Sequence, residues 1–188
     1  MNTEFLGARR QALENLFFSR SDQKLLDKLR QQVSDEKRKQ QLASACGVHQ
    51  EAILNQLIAW EISPETAAAL TLAPLVMVAW ADNKMEARER QAILQAAEAN
   101  GVETDSPAHQ LLSQWIEIPP GDDFKTVWTQ YAQALTEGMG GGEQSALRET
   151  VLGGARQVAE AAGGILGWGN KISAKEQAIL DELEAALR

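Results

Sequence analysis

In "AWADNKMEARERQAIL", Asp82 is followed by Glu86 and then, three residues further on, by Glu89. Carboxylate oxygens gathered at the junction of two helices suit a hard divalent cation such as Ca²⁺ or Mg²⁺, so Asp82, Glu86 and Glu89 are the candidate metal ligands of this chain. A competing use is structural. A carboxylate in the first turn of a helix accepts backbone N–H groups that have no partner in the helix and complements the helix dipole. The spacing is not that of an EF-hand, because Lys84 falls at the third loop position and Ile93 at the twelfth. Lys84, Arg88 and Arg90 can neutralise the carboxylates without a metal ion.

Other chemistry is thinly represented. The two histidines, His49 and His109, stand in no zinc-ligand spacing. There is no nucleophile elbow and no phosphate-cradling glycine loop, since "GMGGG" at 138–142 lacks the lysine and the flanking strand of a P-loop. The chain is therefore read as non-enzymatic, with no resident cofactor other than a divalent cation at the acidic turn. The single cysteine, Cys46, lies in the apolar "LASAC" and has no partner for an internal disulfide, which fits a reducing cytoplasm.

Charge narrows the partners. Residues 1–62 carry nine Lys or Arg against eight Asp or Glu, and residues 63–188 carry nine against eighteen, so the net charge of -8 arises in the second part. That balance argues against nucleic acid and leaves a protein partner as the expectation. The longest uncharged run, 66–81, would reach about 24 Å as a helix, short of the roughly 30 Å of hydrocarbon in a bilayer. With no basic, apolar leader at residue 1, neither secretion nor a transmembrane segment is expected.

The elements that must position these residues are helices. Phe5, Leu6, Leu13, Leu16 and Phe17 recur at helical steps, as do Ile53, Leu54, Leu57 and Ile58, and no stretch alternates like a strand. Ser34, with Asp35 and Glu36 after it, reads as a helix cap, and Gly47 as the stop of that helix. "SPET" at 63–66 reads as the start of a long buried helix toward Ala81, kinked or split at Pro74. "SP" at 106–107 opens another, Phe124 to Leu135 mark the face of a third, and "GMGGG" reads as a flexible loop. The organisation expected is an N-terminal helical region over 1–62 and a helical bundle over 63–188.

"WADNKMEARERQAIL" from Trp80 resembles "WGNKISAKEQAIL" from Trp168. In both, Asn-Lys stands six residues before a Glu and "QAIL" follows, Asn83 and Asn170 being 87 residues apart. This predicts an internal duplicated helix-turn-helix unit. In the second copy Ser173 and Glu176 form a capping-box pair, in which each side chain can accept the other's backbone N–H.

The first copy is similar to the signature of the TerB-like family, the helical domain of tellurite-resistance proteins and of the N-terminal part of the DjlA co-chaperone. In that family a buried helix ends in Ala-Asp-Gly and the next helix opens with a Glu. Ala81 and Asp82 match the dipeptide, Asn83 replaces the Gly, Met85 takes the apolar turn position and Glu89 the Glu position. The similarity covers about 63–187. It implies an all-α multi-helix bundle and a non-enzymatic interaction or stress-response module with an acidic metal site. The second copy departs from the pattern, with Gly169 where Asp82 stands in the first. Arg9, Ala12, Glu14 and Phe17 also resemble the start of the zeta-type inhibitors of bacterial ATP synthase, which implies an alternative: a regulatory protein acting on an ATPase through its N-terminal helix.

Overall fold

The structure is a computed structural model that describes residue 28, residues 31–162 and residues 172–188. The amphipathic stretch with Arg9, Ala12, Glu14 and Phe17, and the first half of the second repeat with Trp168, Gly169 and Asn170, lie outside the described residues. Among the described residues the fold is all-helical and contains no strand. Contacts divide the chain into two units, Met1–Gln41 and Leu42–Arg188. In the first unit, residues 31–41 are helical and almost wholly exposed.

The second unit begins within a helical stretch, 31–46 (α1), whose Leu42, Ala43 and Cys46 are buried. There follow α2 (Glu51–Ala59), a 3₁₀ helix (Ala67–Thr71), α3 (Ala73–Ala79), α4 (Ala87–Ala99), α5 (Pro107–Glu117), α6 (Phe124–Glu137), α7 (Gly141–Ala162) and α8 (Ala174–Ala186). Every residue of α3 is buried. A helix apolar on all sides belongs in a core, and α3 packs against the 3₁₀ helix, α4, α5, α7 and α8. Around it, α7 presents Val151, Leu152, Ala155, Val158 and Ala159, a stripe at helical spacing, and packs on α4 and α8 as well. Gly154 of α7 faces α3, where a Cβ would stand 3.4 Å from Leu75 Cδ1.

The buried aromatics carry their polar groups to specific carbonyls. Trp128 Nε1 donates to Leu70 O at 3.0 Å, and Tyr131 Oη donates to Cys46 O at 3.3 Å. The amphipathic tips are satisfied while the rings fill the core. Cys46 is a buried free thiol that burial pushes up to about 11, so it is not a reactive nucleophile.

Several local expectations are corrected. The helix expected over 63–81 is split at Pro74, one of the two outcomes expected there, but its first part is a turn followed by the 3₁₀ helix. Ser63 opens a turn in which its N–H donates to Thr66 Oγ1 at 2.8 Å, and Pro74 stands in the first turn of α3, where its missing N–H leaves no bond unmade. Ser34 lies inside α1 and does not cap it. Gly141 and Gly142 are the first residues of α7, which shortens the "GMGGG" loop to 138–140. Residues 51–59 form α2 and pack on α6 within the second unit.

Candidate functional site

The turn between α3 and α4 is built from its backbone outward. Trp80 ends α3 and its Nε1 donates to Trp115 O at 2.8 Å, which ties the turn to α5. Asn83 has φ +67°, a left-handed backbone that Asn tolerates better than most residues, and its N–H donates to Trp80 O at 2.9 Å. Asp82 Oδ1 accepts from Lys84 N at 2.9 Å, an Asx turn. Glu86 is the N-cap of α4, with extended backbone, and forms a capping box with Glu89; Glu86 N–H donates to Glu89 Oε2 at 2.7 Å. Asp82 and Glu86 are exposed, whereas Glu89 is only 3 % exposed.

The start of α8 has the same construction. Ser173 Oγ accepts from Glu176 N at 3.2 Å, and Ser173 N–H donates to Glu176 Oε2 at 2.5 Å. Glu176 is 7 % exposed, so each box places its third helical residue, a glutamate, inside the fold. Ser173→Ala is expected to destabilise α8 by about 1 kcal/mol through loss of the cap. Hydrogen exchange should speed up at residues 174–178, and unchanged protection there would contradict the cap assignment.

The start of α8 also bears on Glu89. Burial pushes the Glu89 carboxyl up to about 7, the Glu86 N–H opposes this, and the negative charges of Glu176, Glu86 and Asp82 add to the rise. A carboxyl in this setting holds a proton well above the usual carboxylate range.

This geometry bears on the metal ligands. Asp82 bonds the Lys84 N–H, and Glu86 and Glu89 close a capping box. Among the described residues no group of three or more His, Cys, Asp or Glu is arranged to hold a metal ion. Two of the three carboxylates, Asp82 and Glu89, thus already accept backbone N–H groups. Millimolar Ca²⁺ or Mg²⁺ is expected to leave the melting temperature unchanged; a rise that Asp82→Asn abolishes would instead assign a cation to the turn.

Among the described residues, two concavities elsewhere bear on function. One, on α7 and α8, has Arg148 paired with Glu184, whose carboxyl that guanidinium holds below the usual range. The other is a groove of about 340 Å³ formed by the end of α2, by α5 and by the Ile118–Gly121 segment. Trp60, Leu111 and Trp115 contribute to its lining. Phe124 fixes both tryptophans, its ring lying 5.1 Å from Trp60 and 4.9 Å from Trp115. Ile118 precedes Pro119, which disfavours helical backbone, and so leaves α5 in an extended conformation (φ −126°, ψ 122°).

Glu61, on the groove's edge, has φ +59°. Its N–H donates to Ile58 O and the Ile62 N–H to Leu57 O, the two bonds of a Schellman ending of α2. Gly101 occupies the same position after α4, with Gly101 N–H on Glu98 O and Val102 N–H on Ala97 O. Glycine adopts that backbone freely, whereas a residue with a Cβ costs about 1 to 2 kcal/mol there. The groove is not legible in the sequence because its walls come from two segments about fifty residues apart, 59–61 and 111–121, and left-handed backbone has no local signal at Glu61.

No protein-family model, no curated protein and no solved structure matches the chain.

Proposed function

We propose that this chain is a cytoplasmic, non-enzymatic interaction module of the TerB-like type, associated with stress responses, that docks a protein partner in the groove beside Ile118. The observation that carries the reading is the exposure of Ile118. Among the described residues it and Val33 are the exposed large apolar side chains, and Ile118, 62 % exposed, stands on a concave, aromatic-lined surface. An apolar side chain held in water beside an apolar groove is stabilised when a partner covers both. The matching capping boxes at Glu86–Glu89 and Ser173–Glu176 support the TerB-like reading and an internal duplication, with the buried glutamates serving each helix start.

Affinity purification from the native cell, with the wild type and Ile118→Asp as parallel baits, tests the proposal. Ile118 is mostly outside the core, so the variant should retain its helical spectrum and melting temperature. Proteins recovered with the wild type should be lost with Ile118→Asp. Equal recovery by both baits would remove the groove from the interaction.

A further inference from the structure

The charge around the groove identifies the chemistry of its occupant. The chain has no Lys or Arg between residues 40 and 83 or between 91 and 124, while these stretches hold four and six Asp or Glu. Those two stretches supply every wall of the groove. Glu61 lines it, and Glu117, Asp122 and Asp123 flank the Ile118–Gly121 wall; all four are exposed. Among the described residues none of the four forms an ion pair, and the nearest lysine in sequence, Lys125, is 2.5 Å from Glu182. An apolar floor is thus bounded by uncompensated negative charge.

Glu61 adds an independent indication. A glycine would end α2 at lower cost, as Gly101 ends α4, yet a carboxylate stands at the groove's edge on strained backbone. Local conflict of this kind is typical of positions where function competes with stability.

From the apolar floor, its acidic border and the strained Glu61, and resting on the docking reading above, we infer that the groove receives a peptide segment presenting a bulky apolar side chain flanked by Lys or Arg. The apolar side chain would cover Trp60, Trp115 and Ile118, and the cations would face Glu61 and the Glu117 and Asp122–Asp123 carboxylates. Burial of the apolar group supplies affinity, and the exposed charges supply preference and salt dependence.

The test is selection of a random-peptide display library on the full chain, with counter-selection against Ile118→Asp. A selected peptide and its Lys/Arg→Glu version are then titrated calorimetrically into the wild type, Glu61→Gln and Glu61→Gly. The selected sequences should pair a bulky apolar residue with basic neighbours. Binding should weaken with salt, and the acidic version should not bind. Glu61→Gln, which keeps the backbone strain, should weaken binding about two- to fivefold, the worth of an exposed ion pair. Glu61→Gly should weaken it similarly while raising the melting temperature. Neutral or acidic selected sequences, or affinities unchanged by Glu61→Gln, would overturn the charge preference and leave the docking reading standing. No enrichment over Ile118→Asp would overturn both.

Discussion

Val76→Asp is expected to unfold the second unit. Val76 is fully buried in α3, which packs against the 3₁₀ helix, α4, α5, α7 and α8, so no rotamer reaches water without parting them. A carboxylate placed there is desolvated without a partner, a penalty of several kcal/mol against a total stability of about 5 to 15 kcal/mol. Leu75→Ala should keep the fold but lose about 2 to 5 kcal/mol, because it opens a cavity at the contact of Leu75 with Gly154 of α7. Denaturant melts of the two variants check this, and midpoints equal to the wild type's would contradict the central place given to α3.

Glu89→Gln is expected to stabilise the protein at neutral and alkaline pH. Glu89 has a folded value raised from 4.5 to about 7, so the folded state holds this proton more tightly than the unfolded chain does. The stability this contributes is fully present below pH 4.5 and is lost as pH rises to about 7, after which the contribution is flat. A rise from 4.5 to about 7 puts an upper bound of roughly 3 kcal/mol on the span. Glutamine can still accept the Glu86 N–H, as the capping box requires. Melting temperatures taken from acid to alkaline pH should therefore fall less steeply for Glu89→Gln than for the wild type, and the variant should melt higher at pH 8. Parallel profiles would show that Glu89 ionises normally in the fold.

Features with local causes were legible in the sequence. The Ser173–Glu176 box, Ser106 before Pro107, and Gly47 at the end of α1 each depend on residues within one helical turn of one another, and each is present. The apolar run ending at Trp80 also lies in the core, because its residues leave no polar face. Features that depend on tertiary placement were not legible. Nothing local indicates that Glu89 and Glu176 come within electrostatic reach, or that Gly141 and Gly142 join α7. The carboxylates of the acidic turn show the same division. Their spacing marks them as a group, while the hydrogen bonds that Asp82 and Glu89 accept depend on which backbone N–H groups the turn leaves without a helical partner.

The most direct test of the interaction reading is site-specific photo-cross-linking in the native cell, with a benzophenone amino acid placed at position 118 or, as a control, at exposed position 175 on α8. A discrete protein adduct is expected from position 118 that is absent from position 175 and that diminishes when Glu61→Gln is combined with the label. No adduct at 118, or the same adducts from both positions, would contradict the assignment of the groove as the surface through which this protein acts.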